Sequence, residues 1–424
     1  MKKNKFYVEL LLVFAIFNNP IIFYNYSYIC YSLIYGIPLI YIILNFYQLR
    51  SYFRGMPLSI FTIVIWPIFA LSLSFIIPTF YGTNDYSYVN VILAIYRRAI
   101  ICVFLFMLIG KKYPQEAVVE QFMFYYACAT ALYVISTILF ILFPALKNFW
   151  IRTTHLSSKY LELLKSFGYV GRFGWSGFAG FRNTIDATLS IIFLTYLEHN
   201  NRLPTQRYMA LVIICFIGNL FYGRSGVLVS VICIVVGLIL YKKLSFKSIS
   251  MIILSTGSVV LVFIIVKSRV PAINEWYVWA STPFKNLIQT GSFNNYSADY
   301  LLKDMIFVPE GKTLWVGDGL YIDPVNGKYY MDTDSGFMRQ ILFWGILLSS
   351  ITYFVLILSV YYMNHGVVLK ILLLLMCVLF EIKGEVYYEM LPLFTIIALI
   401  DKKVFLASSF IKHTQNQIIM ENSG

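Results

Sequence analysis

The sequence predicts an all-α, polytopic integral membrane protein with about twelve transmembrane helices. Hydrophobic residues make up 59% of the 424 positions, charged residues only 12%, and the mean hydropathy is +0.74. A soluble domain carries roughly 25% charged residues. Apolar runs of about twenty residues recur along the chain, and each is long enough to cross a hydrocarbon core of about 30 Å. These runs are continuous rather than alternating, which predicts helices rather than a β-barrel.

The predicted spans follow the apolar runs in order. They lie at about 6–24, 27–48, 58–79, 88–110, 117–143, 184–198, 208–222, 225–241, 248–266, 337–362, 368–382 and 386–401. The opening "MKKNKFYVELLLVFAIF" resembles a signal peptide, but the following "NNPIIFYNY" has no small-x-small cleavage site and leads directly into a second apolar run. We therefore interpret it as an uncleaved first span, and residues 1–424 as a single transmembrane domain.

The basic residues of the short loops predict the orientation of these spans. With twelve spans they all fall on one side, which the positive-inside rule makes cytoplasmic. They are Lys2, Lys3, Lys5, Arg50, Arg54, Lys111, Lys112, Arg202, Arg207, Lys242, Lys243, Lys247, Lys402 and Lys403. Both termini are then cytoplasmic, and two long segments, 144–183 and 267–336, form loops outside the membrane.

The net charge and the cysteine and histidine content exclude some classes of function. The net charge of +13 comes from 33 Lys and Arg against 20 Asp and Glu. It is explained by the positive-inside bias and by anionic lipid heads, and nucleic-acid binding is disfavoured because no soluble basic domain is present. The six cysteines fall in apolar runs without a CxxC pair, and the four histidines show no HExxH spacing. We therefore predict neither a metal site nor a cofactor.

Arg224 is the first candidate functional residue, in the hairpin "LFYGRSGVLVS" between two short spans. A charge near membrane depth is expensive and usually faces a cavity or a partner. Its small neighbours allow close backbone approach and leave room for a ligand. The sequence allows two interpretations of Arg224: its side chain extends to the lipid head groups, or it binds an anion.

The first outer loop contains "YVGRFGWSGFAGFRNTIDATLS", in which Arg172 and Arg182 alternate with glycines and aromatic residues. One interpretation is a flexible loop with aromatic anchors at the membrane interface. The other is a mobile basic lid in which Trp175, Phe178 and Phe181 stack on sugar faces.

Arg97 and Arg98 lie about a third of the way into the fourth apolar run. Two adjacent arginines in lipid would be costly. Either the span begins later than residue 88, or the two side chains face a polar cavity near the outer surface.

The second outer loop ends in "LWVGDGLY" and then "MDTDSGFMRQILFWGI". Asp318 has the surroundings of a turn residue, since glycine accepts positive φ. Asp334 precedes the next span directly, where the floor of a pocket would lie or where a carboxylate would cap the helix. Arg339 follows one helical turn later, at a spacing that is imperfect for pairing with Asp334 on a helix, so we expect it to contact another loop instead.

These segments, in this order, resemble the O-antigen polymerase (Wzy) family and the related O-antigen ligases. The matching features are the "GRF…GFRN" loop, "GRSGVLVS", "LWVGDGLY" and "DTDSGFMRQILFWGI", over roughly residues 165 to 350. The resemblance implies a membrane glycosyltransferase that moves a growing glycan from undecaprenyl pyrophosphate to a sugar of another lipid-linked repeat unit. It places this reaction on the outer face of a bacterial cytoplasmic membrane, with membrane lipid and a chain-length regulator protein as further partners.

The chemistry of this reaction assigns roles to the candidates. Arg224, Arg172 and Arg182 are expected to bind the leaving pyrophosphate, because a developing anion needs fixed cations and arginine supplies bidentate geometry. The ligases typically carry a histidine where Asp334 stands, which favours polymerase over ligase. Asp334 is the expected base for the acceptor hydroxyl, provided that it is buried.

The other expected substrate contacts are Arg97, Arg98, Arg339, Asp318 and Trp175. Glu381 and Glu389 are the alternatives for the base. A ligase and a flippase for lipid-linked oligosaccharide are the rival functions.

Overall fold

The computed structural model describes residues 2–18, 27–47, 61–154, 161–162, 172–242 and 300–401, with single positions at 278, 281, 282, 285, 286 and 289. The span predicted at 248–266 lies outside these residues. So do parts of the two predicted outer loops, 144–183 and 267–336.

Helices account for nearly all regular structure in the described residues. They are α1 (Lys2–Phe17), α2 (Tyr28–Leu44), α3 (Trp66–Tyr81), α4 (Tyr88–Gly110), α5 (Gln115–Leu142), α6 (Pro144–Thr153), α7 (Phe181–His199), α8 (Thr205–Tyr222), α9 (Arg224–Leu240), α10 (Gly311–Val316), α11 (Gly336–Tyr361), α12 (Val367–Glu381) and α13 (387–401). π-Helical turns occupy Ser32–Gly36, Phe61–Ile65 and Leu301–Met305, and a 3₁₀ turn occupies Tyr330–Asp332. The strands β1 (Phe173–Gly174) and β2 (Gly177–Phe178) pair as a small antiparallel hairpin.

Four of these helices, α4, α5, α8 and α11, are long and apolar enough to cross a membrane. Three shorter apolar helices, α2, α3 and α9, accompany them. Every span predicted within the described residues overlaps a helix. The structure is thus that of an all-α membrane protein in the part of the chain it describes, while the count of twelve spans stays a prediction.

Two helices form the centre of the bundle. Every residue of α7 from 187 to 195 is buried, and every residue of α13 from 389 to 401 is buried. A helix that is buried around its whole circumference lies inside a bundle rather than at its surface. α7 packs against α5, α8, α9 and α12. The starts of α7 and α13, which carry polar residues, lead directly into these fully buried segments.

α2 lies at the periphery and has the opposite pattern. Leu33, Ile37, Ile40 and Leu44 are all exposed, by 54%, 56%, 58% and 78%. Their spacing of three to four residues places them on one helical face. A contiguous exposed apolar face of this kind is typical of contact with lipid or a partner.

Close packing of α7, α8 and α9 explains the small residues of the "GRSG" segment. A Cβ added to Gly226 would lie 2.0 Å from Thr184 Cγ2, so only glycine allows the two backbones to approach this far. Below this contact the buried Asn219 side chain donates to Thr188 Oγ1 at 3.1 Å and to Ser230 Oγ at 2.7 Å. Polar side chains link neighbouring helices in this way inside membranes. The small residues thus bring three helices together rather than leave space for a ligand.

α11 is interrupted near its middle, and the segment around α10 packs against this break. Gly345 has φ 77° and ψ 169°, outside the helical region, and a Cβ there would lie 2.2 Å from the Trp315 carbonyl oxygen. Helix kinks need such a local cause, and positive φ favours glycine. The break frees the Leu342 carbonyl, which accepts the Asp318 N–H at 2.7 Å. The segment around α10 therefore replaces a missing helical hydrogen bond.

Candidate functional site

A cavity of about 700 Å³ lies where α7, α11 and α13 begin. Its charged lining comprises the basic residues Arg97, Arg98, Arg182, Arg339 and Lys383 and the acidic residues Asp186, Asp334, Glu385 and Glu389. The first turn of a helix carries N–H groups without helical partners and the positive end of the helix dipole. The convergence of three such helix starts with five cations makes this cavity suited to an anion.

The start of α7 is set by its own residues. Asn183 accepts a hydrogen bond from the Gly180 N–H at 3.2 Å, a capping interaction that begins the helix. Phe181 turns away from the helix axis and makes an edge contact with the Phe380 ring. A Cβ on Gly384 would lie 2.8 Å from the Phe181 ring. The "GFRN" motif therefore fixes both the helix start and its contact with the loop between α12 and α13.

Arg98 is the buried centre of the first charge cluster. Its side chain is 4% exposed, and it lies on α4. The Nη2 atom lies 3.4 Å from Asp186 Oδ1, and the Nε atom lies 3.4 Å from Glu389 Oε2. The guanidinium also lies over the Phe17 ring, 4.5 Å from its centroid. Two nitrogens of one planar group thus hold carboxylates from α7 and α13, a geometry that arginine offers and lysine does not.

Arg182 joins the same cluster from the side of the cavity. Its Nε atom lies 3.5 Å from Glu389 Oε1 and 4.0 Å from Asp186 Oδ2, while its side chain is 52% exposed. Tyr126 donates a hydrogen bond to Asp186 from below. Because half of the Arg182 side chain stays accessible, this arginine can add a ligand contact without losing its ion pairs.

Arg339 and Glu385 form a second, more enclosed pair. Arg339 Nη2 lies 3.3 Å from Glu385 Oε2, and the two side chains are 9% and 2% exposed. Tyr321 donates its hydroxyl to Glu385 Oε2 at 2.6 Å. The guanidinium lies 3.5 Å from the Tyr329 ring centroid and 4.5 Å from that of Tyr321. Arg339 therefore does contact another loop, that between α12 and α13.

Burial raises the pKa of Glu385 to about 7, against the opposing effect of the Arg339 charge. A carboxyl group in this range can gain or lose a proton near neutrality. Its Oε1 atom accepts no hydrogen bond from any described residue.

Asp334 lines the cavity but differs from the sequence-based expectation. Its side chain is 46% exposed and lies 3.6 Å from Lys383 Nζ. The burial required for a base at this position is therefore absent. Ser335, rather than Asp334, is the residue that precedes the first turn of α11, and it makes no side-chain cap. The capping role considered for Asp334 is not present either.

Five of the nine predicted site residues line the cavity: Arg97, Arg98, Arg182, Asp334 and Arg339. The adjacent pair on α4 faces this polar cavity, within a helix that begins at Tyr88. Phe178 and Phe181 also line it.

The other four, Arg172, Trp175, Arg224 and Asp318, are not among its lining residues. Arg224 begins α9 and is close enough to Arg172 for their charges to interact. Trp175 stacks on Trp150 with ring centroids 4.4 Å apart. Asp318 accepts hydrogen bonds from Thr313 Oγ1 at 2.8 Å and from the Tyr330 hydroxyl at 3.3 Å, as a residue that shapes its own loop.

The sequence reasoning did not assign Glu385 or Lys383, and gave Glu389 only as an alternative. All three lie in "EIKGEVYYEM", between two strongly apolar runs. Ionisable residues between long apolar runs are a functional signal in their own right, and the three carboxylates Glu381, Glu385 and Glu389 carried that signal here. Within the described ranges, no group of three or more His, Cys, Asp or Glu side chains could hold a metal ion.

Comparison with known proteins adds no family assignment. No protein-family model, curated protein or solved structure matches this chain.

Proposed function

We propose that this chain is a polysaccharide polymerase of a bacterial cytoplasmic membrane. It joins oligosaccharide repeat units carried on undecaprenyl pyrophosphate by glycosyl transfer, on the outer face of the membrane. In this proposal the chain has about twelve spans with both termini in the cytoplasm, and the cavity opens to the outside. The sequence resemblance to O-antigen polymerases motivates the proposal.

The observation that carries it is the cavity at the starts of α7, α11 and α13, lined by four arginines and one lysine inside an apolar helix bundle. The leaving group of the reaction is a pyrophosphate, whose charge increases as the glycosidic bond breaks. Prearranged cations and helix N-termini in a site with little water stabilise such a charge. The cavity is also large enough for the head of a lipid-linked donor, since ligand sites commonly measure about 300–1,000 Å³.

The exposed fraction of each arginine side chain indicates its role in this proposal. Arg182, half exposed, and Arg97, also exposed, are the side chains that contact the pyrophosphate. Arg98 is buried between Asp186 and Glu389 and holds the two helices that carry them in register. Arg339 is enclosed by Glu385 and two tyrosine rings and positions that carboxylate. The aromatic side chains of Phe178 and Phe181 supply faces on which sugars can stack.

Deletion of the gene tests the proposal and separates it from its rivals. A polymerase mutant makes surface lipid that carries single repeat units. A ligase mutant retains polymer on undecaprenyl pyrophosphate and loses attached glycan, and a flippase mutant accumulates repeat units in the cytoplasm. Complementation with wild type should restore polymer, Arg182→Gln should not, and Arg207→Gln, an exposed arginine outside the cavity, should. Either rival phenotype, or normal polysaccharide in the deletion strain, would refute the proposal.

A further inference from the structure

Among the carboxylates that line the cavity, Glu385 has one oxygen atom without a hydrogen-bond partner in the described residues. Of the other acidic residues that line the cavity, Asp186 has both oxygens engaged, by Arg98 and Tyr126 on one and by Arg182 on the other. Glu389 has one oxygen on Arg98 and one on Arg182. Asp334 is 46% exposed and pairs with Lys383.

Glu381, the other buried carboxylate of this loop, does not line the cavity. Its Oε1 atom accepts from Tyr353 at 2.9 Å and from Gln340 at 3.4 Å, and its Oε2 atom accepts from the Val386 N–H at 2.7 Å. Both of its oxygens are therefore occupied by the protein, and it has a structural role at the turn between α12 and α13.

Glu385 is arranged differently. Its residue is 4% exposed, its Oε2 atom is held by Arg339 and the Tyr321 hydroxyl, and its Oε1 atom has no hydrogen-bond partner among the described residues. A buried acceptor without a donor is unfavourable, and such atoms in native proteins call for an explanation. A ligand hydroxyl that donates to Oε1 would supply the missing partner.

We infer that Glu385 is the catalytic base that takes the proton of the acceptor hydroxyl, in place of Asp334. This inference rests on the proposed function. The acceptor's O–H bond breaks and its proton passes to Oε1 of Glu385. The hydroxyl oxygen forms a bond to the anomeric carbon of the donor sugar, and the bond from that carbon to the pyrophosphate oxygen breaks. The electron pair leaves on undecaprenyl pyrophosphate beside Arg182, and Glu385 returns its proton to water or to the departing pyrophosphate.

The surroundings of Glu385 suit this role. Arg339 and Tyr321 hold one oxygen and so orient the other, the arrangement expected of a positioned base. The titratable groups that face it from the packed elements are Arg339, Tyr321, Tyr88, Tyr353, Tyr387, Tyr388 and Glu381. Arg339 is the cation among these groups, and Glu381 is the second carboxyl. With its pKa near 7, Glu385 is ionised above that pH and turnover should rise as the pH passes through it.

The test uses the purified full chain in lipid nanodiscs and lipid-linked repeat units extracted from the deletion strain. Glu385→Gln keeps the shape and an acceptor for Tyr321 but cannot take a proton, so polymerisation should fall by about 100-fold or more. Binding of undecaprenyl pyrophosphate should change less than about threefold. Asp334→Asn makes the same chemical change at the cavity carboxylate that pairs with Lys383, and it should lower the rate far less than Glu385→Gln does. Glu120→Gln, at a carboxylate outside the cavity, is the matched control and should retain the wild-type rate.

The pH profile separates a base from a structural residue. The wild-type rate should rise through a pH of about 7, and the profile should disappear in Glu385→Gln. Where Glu385→Gln does not fold, Glu385→Asp keeps a base on a shorter side chain, and its rate should show a displaced pH midpoint. Normal turnover by Glu385→Gln, or loss in Asp334→Asn with an unchanged Glu385→Gln, overturns the inference. Absence of polymer from the wild-type protein would instead refute the proposed function.

Discussion

Arg98 offers the sharpest test of how the cavity is built. It holds Asp186 and Glu389, from two central helices, through two nitrogens of one guanidinium. Removing one member of a buried ion pair commonly destabilises a protein by 3–5 kcal/mol, because a charge is left without compensation. Here Arg182 remains within 4.0 Å of both carboxylates, so the loss should lie at the lower end of this range. We expect Arg98→Ala to lower the free energy of unfolding by about 3 kcal/mol.

The assay is equilibrium unfolding of the purified protein in detergent, followed by helical circular dichroism as sodium dodecyl sulfate is added. Arg97→Ala is the matched control, since it removes the neighbouring, exposed arginine, and it should change stability by no more than about 0.5 kcal/mol. Arg98→Lys should recover only part of the loss, because one ammonium group cannot hold two carboxylates in the same way. If Arg98→Ala were as stable as Arg97→Ala, the buried cluster would not hold α7 and α13 together.

Two further predictions concern packing and topology. Gly226→Ala should destabilise the protein by about 1–3 kcal/mol in the same assay, because its Cβ would overlap the neighbouring helix. Gly36→Ala is the control and should not destabilise it, since no atom lies within 4 Å of the new Cβ. Equal effects of the two changes would contradict the packing of α7 on α9. With Cys30 replaced by serine, a cysteine at Val325 should react with an impermeant reagent added outside intact cells and one at Thr205 should not; the reverse labelling would contradict the twelve-span topology.

The helices were predictable because each span is encoded by one continuous run of apolar residues. The apolar run at 88–110 coincides with α4, and the run at 337–362 with α11. Boundaries were less certain, since caps and short turns decide them. The break at Gly345 was not predicted, because it depends on the approach of Trp315 from a different segment.

Several residues of the cavity could be predicted from the sequence, but the ion pairs between them could not. Rare charges in an apolar run pointed to Arg97 and Arg98, and a basic loop rich in glycines and aromatic residues pointed to Arg182. Their partners lie far along the chain, and Arg98 and Asp186 are separated by 88 positions, so no local pattern joins them. The glycines near Arg224 suggested space for a ligand, but the same residues permit close helix packing, and sequence alone does not distinguish the two. Trp175 suggested a sugar platform, and in the fold it stacks on Trp150 instead.

Binding of undecaprenyl pyrophosphate to the purified protein tests the central claim most directly, that this cavity receives the lipid pyrophosphate. A charge-assisted hydrogen bond contributes about 1.5–3 kcal/mol, and 1.4 kcal/mol is tenfold in affinity. Arg182→Gln should therefore weaken binding by roughly 10- to 150-fold. Arg207→Gln should leave it unchanged, and undecaprenol, which lacks the pyrophosphate, should bind much more weakly than undecaprenyl pyrophosphate. Equal affinity of the wild type and Arg182→Gln, or equal affinity for the two lipids, would contradict the account.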